Sequence, residues 1–312
     1  MTKTKKITFF QRRIVVWICA LICCALWGSA FPCIKLGYSL FAIDSSDTAS
    51  VILFAGVRFA GAGVLTLVFG SIGARKLLLP QITSWGRIFV LCMFQTVIQY
   101  LFFYIGLAHT TGVKGSILQG TGTLFAILFS CLLFRNEKMT AFKVAGCIIG
   151  FAGLILANLT GSGLSPEFAL NGEGFLIISS VSYALSSNFM SRFGTKESPV
   201  MLSGWQFLTG GLILCAFGYF SGGALNTITK EGALLLLYMM FLSAAAYTLW
   251  GVLLKHNPVS RVSVFGFAIP AFGSIFSALL LNEAESLSAA TLISLILVCI
   301  GIFLVNKAKK KA

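Results

Sequence analysis

Charged residues are scarce in this chain. Asp, Glu, Lys and Arg make up 10% of its 312 residues, 57% are hydrophobic, and the mean hydropathy is +0.93. A soluble domain carries about 25% charged residues, so the shortage excludes a water-soluble protein. Once the apolar runs cross a bilayer core about 30 Å thick, no stretch of domain size remains outside it. Any function must therefore lie within a helix bundle.

The patterns of enzymes and metal sites are also missing. The chain has 2 His and 9 acidic residues, and it contains neither an HExxH motif nor a CxxC pair. His109 and His256 fall at the ends of apolar runs, while all nine cysteines lie inside such runs, as is typical of small buried hydrophobic residues. We expect no enzyme, no cofactor and no metal. The net charge of +14 is scattered over short loops, which argues against a nucleic-acid partner.

What the chain does contain is a series of apolar runs between polar segments. The first resembles a signal peptide, but the runs that follow it favour an uncleaved helix. The sequence predicts an all-α integral membrane protein whose partners are the lipid bilayer and a small-molecule solute; homodimer formation is left open. Its ten predicted transmembrane helices are 14–37, 49–70, 87–108, 113–134, 140–159, 173–193, 201–220, 232–254, 260–281 and 287–306.

Basic residues fix the predicted orientation. With the N-terminus in the cytoplasm, nineteen of the 23 Lys and Arg residues fall on the cytoplasmic side of these helices. Positive charge concentrates in cytoplasmic loops. We therefore expect a multi-pass protein of the cell (plasma or inner) membrane with both termini cytoplasmic.

The chain repeats itself. At an offset of 148 residues, 56–63 superposes on 204–211 and 152–158 on 300–306, while Tyr100 and His109 fall on Tyr247 and His256 at 147. Each unit has five helices, an odd number, so the second unit inserts upside down. We predict two inverted five-helix repeats, 1–159 and 172–312, joined by an external loop at 160–171. Inverted repeats leave a site at their midplane interface that can face either side alternately.

These residues also resemble a known family. Trp27-Gly-Ser-Ala-Phe31 with Lys35, Arg58-Phe59, and Glu137-Lys-Met-Thr140 followed by Gly146, Gly150 and Gly153 resemble the drug/metabolite transporter superfamily, in its ten-helix EamA-type branch. The second half departs from the pattern, since Glu283 is followed by Ala-Glu-Ser. The resemblance implies a carrier, often an exporter, of amino acids, other metabolites or toxic compounds, with a central cavity between the halves.

Arg58 is the main candidate binding residue. It lies about nine residues into the second predicted helix, where an unpaired charge is costly. One interpretation is that it binds an anionic group of the substrate, such as a carboxylate. The other is a structural tie to backbone carbonyls or a polar side chain, or snorkelling toward the outside.

Other polar and aromatic side chains extend the predicted site. Gln95 with Gln99, and Tyr100 with Tyr104, are pairs at i and i+4 on the third helix. Small polar residues elsewhere are equally consistent with helix packing. Glu137 and Glu283 precede helices and are expected to cap helix starts. The full set of predicted substrate-binding residues is Trp27, Ser29, Arg58, Gln95, Gln99, Tyr100, Tyr104, Gln119, Tyr183, Asn188, Tyr247 and Trp250, with Pro32 and Pro270 as gating hinges.

Two kinds of carrier remain open, besides the less favoured channel. Arg58 favours export of amino acids or related metabolites that bear a carboxylate. Aromatic residues, which can stack on a cation, favour a multidrug carrier that expels lipophilic cations. Few acidic residues fall within the predicted helices, which weighs against the second reading and leaves proton coupling, exchange and facilitated diffusion open.

Overall fold

The computed structural model describes residues 8–109, 112–158, 169–281 and 289–307, which form helices and no strand. The predicted all-α fold is confirmed for these residues. The helices are α1 (Arg13–Leu40), α2 (Thr48–Ala74), α3 (Ile82–Ala108), α4 (Gly112–Leu132), α5 (Ala141–Asn158), α6 (Leu170–Gly174 continued by Phe175–Phe193), α7 (Pro199–Phe220), α8 (Lys230–His256), α9 (Val259–Ser263, Val264–Ala268 and Ile269–Leu281) and α10 (Ala289–Lys307). Most of the connecting loop, Glu283 and the end of the basic tail lie outside the described residues.

The surface of the bundle is apolar. By length and composition, α1, α2, α3, α7 and α8 are each able to cross a membrane. Large hydrophobic side chains such as Phe69 and Phe220 are exposed on the perimeter, whereas Gln95, Gln99 and Gln206 are buried in the interior. A soluble monomer rarely exposes so large a contiguous apolar surface. The arrangement is that of a multi-pass membrane protein.

Two helices, α2 and α7, pack closely along a seam between the two halves of the chain. A Cβ at Gly63 would stand 2.8 Å from the carbonyl oxygen of Gly204, and one at Gly211 would stand 2.8 Å from that of Gly56. Only glycine permits this approach of two backbones, which maximises packing where no water drives the helices together. The four glycines are two pairs related by the offset of 148.

A second seam joins α5 to α10. A Cβ at Gly146 would stand 2.7 Å from the carbonyl oxygen of Gly301, and one at Gly301 would stand 2.9 Å from the backbone of Gly150. The Gly146-xxx-Gly150 motif therefore packs against a helix of its own chain.

The packing of the first five helices is repeated by the second five. Helix α1 packs on α8 and α9, and α6 packs on α3 and α4. Likewise α2 packs on α8, and α7 packs on α3. Replacing each helix by the one five places away converts the first set of pairs into the second, and it maps the α2–α7 and α5–α10 seams onto themselves.

Local irregularities fall next to the centre of the bundle. In α3, Cys92–Val97 forms a π-helical turn, a feature frequent at functional sites. In α9, a 3-10 segment at Val264–Ala268 ends two residues before Pro270, whereas α1 continues through Pro32 as one α-helix. The irregular backbone of α9 faces other helices, as backbone at membrane depth must.

Candidate functional site

A cavity of about 140 Å³ lies between the two halves of the bundle. Its lining residues run from the middle of the bundle toward the end at which α1 and α3 finish and α4 begins. Both halves contribute to the wall, as expected of a site at a repeat interface. The lining residues are Trp27, Ala30, Phe31, Ile34, Arg58, Gln99, Tyr100, Phe103, Tyr104, Gln119, Gly120, Thr123, Tyr183, Tyr247, Gly266, Ile269 and Pro270.

Arg58 brings a positive charge to this wall. It is only 3% exposed, its Nε donates to Ser243 Oγ at 3.0 Å, and its Cζ lies 5.1 Å from the centroid of the Phe59 ring. The Tyr104 hydroxyl lies beside the guanidinium. Among the described residues, no carboxylate oxygen lies within 4 Å of Arg58. The cavity therefore contains a buried cation whose charge no described acidic residue balances.

Two tyrosines join the halves at the cavity. The hydroxyls of Tyr100 and Tyr247 hydrogen-bond to each other, and these residues are repeat partners at an offset of 147. Trp27 packs on Tyr247 with ring centroids 4.9 Å apart. The stacked rings of Phe59 and Phe207, with centroids 5.4 Å apart, are a further pair of repeat partners, at 148. The centre of the protein is thus built largely from equivalent aromatic residues.

Several cavity-lining residues contain a buried polar atom that lacks a hydrogen-bond partner. Within the described part of the chain, Trp27 Nε1, Gln99 Oε1 and Gln119 Oε1 are buried without a hydrogen-bond partner. A buried polar atom left unpaired costs about 1–3 kcal/mol. The three residues that carry these atoms lie around one cavity, and together they contain one unpaired donor and two unpaired acceptors.

Polar contacts hold together the end of the bundle that lies opposite the cavity. We term it the tied end and define it by Arg87, Glu137, Glu197 and Ser260. The Glu137 carboxylate accepts from Ser130 Oγ at 2.8 Å, Lys143 Nζ at 2.7 Å and the Ser260 backbone N–H at 3.0 Å, and also from Ser260 Oγ. Burial acts to raise the pKa of Glu137, but the bonds from Lys143 and Ser260 and the Lys143 charge outweigh it and lower the pKa below its usual value.

Glu137 therefore binds the start of α9, and not the start of α5, the helix that follows it in the sequence. Ser260 is the second residue of α9, so the carboxylate caps that helix rather than α5. Arg87 at the start of α3 pairs with Glu197, which also accepts from Ser84 Oγ at 2.8 Å. Both ties link the first half of the chain to the second.

The cavity gathers most, but not all, of the predicted binding residues. Trp27, Arg58, Gln99, Tyr100, Tyr104, Gln119, Tyr183, Tyr247 and the predicted hinge Pro270 line it. Pro32, Ser29, Gln95, Asn188 and Trp250 are buried elsewhere. Ser29 Oγ bonds to the Leu26 carbonyl and Tyr238 hydroxyl, both at 2.8 Å, and Asn188 Nδ2 donates to the Ala126 and Ala184 carbonyls at 3.0 Å. Trp250 packs behind Trp27, with ring centroids 5.0 Å apart.

Some lining residues were not predicted. Phe31, Ile34 and Phe103 are apolar, and Gly266 and Ile269 carry no polar side chain, so a search for polar groups passes over them. Their helical spacing relative to the predicted residues could have identified several of them. Trp27, Phe31 and Ile34 are spaced at i, i+4 and i+7, and Gly266 lies four residues before Pro270.

Comparison with known proteins places the chain in a class. The model of the EamA-like transporter family matches residues 15–159 and again 170–307. An uncharacterized transporter of Archaeoglobus fulgidus is 28% identical over 94% of this chain and 99% of its own length. The uncharacterized transporter YvbV of Bacillus subtilis is 28% identical over 92% and 91%, respectively.

Two more distant likenesses agree with these. A chloroplastic WAT1-related protein of Arabidopsis thaliana is 25% identical over 90% of this chain, which spans 66% of the plant protein. A solved crystal structure superposes with a TM-score of 0.76 at 18% identity, over 94% of this chain and 96% of that one, and shows the same fold. The fold and the matches define a multi-pass membrane transporter. This chain belongs to the EamA-like transporter family.

Proposed function

We propose that this protein is a secondary transporter that exports amino acids or related small metabolites by alternating access through the central cavity. The observation that carries the proposal is Arg58, a buried cation on the cavity wall that no described carboxylate balances. A charge at membrane depth marks a substrate pathway when it faces a cavity. The carboxylate of a solute is the partner that Arg58 lacks.

The remainder of the wall fits a zwitterion. The side-chain oxygens of Gln99 and Gln119 and Trp27 Nε1 have no hydrogen-bond partner, and all three residues line the cavity. A side-chain rotation that turns these atoms to the cavity would let the two oxygens accept from an ammonium group and the indole donate. The rings of Phe31 and Phe103 and the Ile34 side chain supply an apolar surface between these groups. An α-amino acid presents a carboxylate, an ammonium group and a side chain, in that combination.

Alternating access is supported by the equivalence of the two halves. The family model matches the chain twice, the helix pairs repeat after five helices, and Tyr100 meets its own repeat partner. These features support two inverted five-helix units, 1–159 and 172–312, that rock about a fixed midplane site. In this conformation the tied end is closed and the cavity extends toward the opposite end.

The direction of opening follows from the charges. The tied end contains or is flanked by Arg87, Arg135, Lys138, Lys196 and Lys255, and by the positive-inside rule this charge supports a cytoplasmic location for that end and for both termini. The cavity then faces outward, in a cell membrane. An exporter releases its solute from this state.

A second candidate is efflux of lipophilic cations. The aromatic lining, which includes Trp27, Tyr100, Phe103 and Tyr183, favours it because a cation is attracted to a ring face. Arg58 opposes it, because a second cation in the same cavity would be repelled.

The test is efflux from proteoliposomes that contain the purified protein and are loaded with the proteinogenic amino acids, their carboxamides and tetraphenylphosphonium, with mass spectrometry of the medium. We expect efflux of one or more amino acids, and much slower efflux of their carboxamides. Arg58→Gln abolishes this preference, while Gln206→Met, a change at the repeat partner outside the cavity, preserves it. Efflux of tetraphenylphosphonium alone would replace this proposal with the second candidate.

A further inference from the structure

We infer that Ser243 is a positioning residue that determines which edge of the Arg58 guanidinium faces the cavity. The inference rests on the proposed function, in which Arg58 binds the carboxylate of the solute. Ser243 is fully buried on α8 and is not among the residues that line the cavity. It acts on the solute only through Arg58.

The guanidinium can grip a carboxylate in two ways. Its five N–H groups form one edge from Nε and one Nη, and another edge from the two Nη atoms, and either edge matches the two carboxylate oxygens. Because Nε donates to Ser243 Oγ at 3.0 Å, the first edge is occupied. The Nη edge is the one left for the solute.

The plane of the group is constrained as well. Phe59 lies on one side, with its ring centroid 5.1 Å from Arg58 Cζ, and the Tyr104 hydroxyl lies beside the group. Without Ser243, the long arginine side chain regains rotational freedom around these contacts, and Nε is left without its partner in a buried site. The consequence is weaker and less selective recognition of the carboxylate.

The equivalent pair of positions also forms a hydrogen bond between the halves, with the hydroxyl as donor and without the charge. Thr96 Oγ1 donates to Gln206 Oε1 at 2.7 Å, and these residues are the repeat equivalents of Ser243 at 147 and Arg58 at 148. Neither lines the cavity. The bond between Thr96 and Gln206 is therefore a matched control: it joins the equivalent positions of the two halves, but neither residue lines the cavity.

The experiment compares four proteins in proteoliposomes: wild type, Ser243→Ala, Ser243→Thr and Thr96→Val. The probes are the amino acid with the fastest efflux in the panel above and its carboxamide, and KM and kcat are measured as the luminal concentration is varied. We expect Ser243→Ala to raise KM for the amino acid about tenfold, with kcat within about twofold of wild type and KM for the carboxamide unchanged. Ser243→Thr, which keeps the hydroxyl, restores the wild-type KM, and Thr96→Val leaves it unchanged.

The outcomes separate the two ideas. If wild type does not prefer the acid to its carboxamide, the proposed function fails. If wild type has the preference and monodisperse Ser243→Ala retains it in full, Arg58 needs no positioning and the inference is wrong. An equal loss of preference in Ser243→Ala and Thr96→Val also overturns the inference, because that result indicates a general loosening of the bundle.

Discussion

Arg58 on α2 and Gln206 on α7 occupy equivalent places in the two halves, but they differ in charge and in access to the cavity. Each bonds to a small hydroxyl residue of a neighbouring helix, Ser243 for Arg58 and Thr96 for Gln206, and each precedes one member of the stacked pair Phe59 and Phe207. Only Arg58 reaches the cavity and only Arg58 carries charge. The backbone scaffold is thus shared between the halves, whereas of these two equivalent positions only the one in the first half places a charge at the cavity.

The largest effect is expected from substitutions in the glycine seam, which test whether the two halves are structurally equivalent. Gly63→Val and Gly211→Val each place side-chain atoms against the backbone of the opposite seam helix, so both variants are expected to lose folded protein completely, and to the same degree. Size-exclusion chromatography of detergent-solubilised protein measures this. Gly73→Val is the control, because nothing lies within 4 Å of a Cβ at that position. A folded Gly211→Val beside an unfolded Gly63→Val would break the equivalence of the halves.

The next largest effect is expected from removing the charge of Arg58, which distinguishes this position from Gln206. Arg58→Gln makes the two equivalent positions identical and removes a charge-assisted contact of about 2–3 kcal/mol, so the preference for an amino acid over its carboxamide is expected to fall roughly thirtyfold or more. Gln206→Met removes a hydrogen bond from the scaffold and is expected to reduce thermal stability without altering that preference. The measurement is the ratio of kcat/KM values for the two solutes. Equal ratios in the two variants would show that the charge is not the distinguishing feature.

A smaller effect concerns the tied end, where each half contributes one carboxylate. Glu137 and Lys143 side chains are each 8% exposed, so Glu137→Gln is expected to weaken the tie by about 3 kcal/mol. The Ser260 amide donates a hydrogen bond to Glu137, and its hydrogen exchange is then expected to accelerate by roughly a hundredfold. Since the pKa of Glu137 is lowered in the structure, the stabilisation is full above its ordinary pKa and is lost as pH falls through the lowered one. Unchanged exchange in Glu137→Gln would show that the carboxylate charge does not hold α9.

The smallest effect belongs to the other carboxylate of the tied end. Arg87 and Glu197 side chains are 29% and 15% exposed, so solvent screens this pair more than the first. Glu197→Gln is expected to cost no more than about 1 kcal/mol and to leave Ser260 exchange at the wild-type rate. Thermal unfolding at low and high salt measures the difference. A loss larger than that of Glu137→Gln would reverse the ranking of the two ties.

Much of the fold could be predicted because it depends on patterns along single helices. Apolar runs gave the helices, and the offset of 147–148 predicted that Tyr100 and Tyr247 are equivalent residues. The structure adds the hydrogen bond between their hydroxyls, which shows where the two units touch. The repeat pattern alone does not show this contact.

The site was predictable only in part because lining a cavity depends on how each helix is rotated. Gln95 and Gln99 are four residues apart on α3, but Gln95 lies within the π-helical turn at Cys92–Val97 and Gln99 after it, and only Gln99 lines the cavity. Ser29 and Asn188 have polar side chains suited to a solute, but tertiary packing presents each with a nearby protein partner. Sequence also cannot show that Glu137 reaches Ser260, 123 residues away.

The hydrogen bond between Tyr100 and Tyr247 has a particular status under the proposed mechanism. If the two inverted units exchange conformations, a contact between residues i and j becomes the contact between their equivalents, as the Arg58–Ser243 bond becomes Gln206–Thr96. A contact between a residue and its own equivalent becomes itself. The tyrosine pair is therefore invariant to the exchange, and under the proposed mechanism it would be the pivot about which the cavity turns from one face of the membrane to the other.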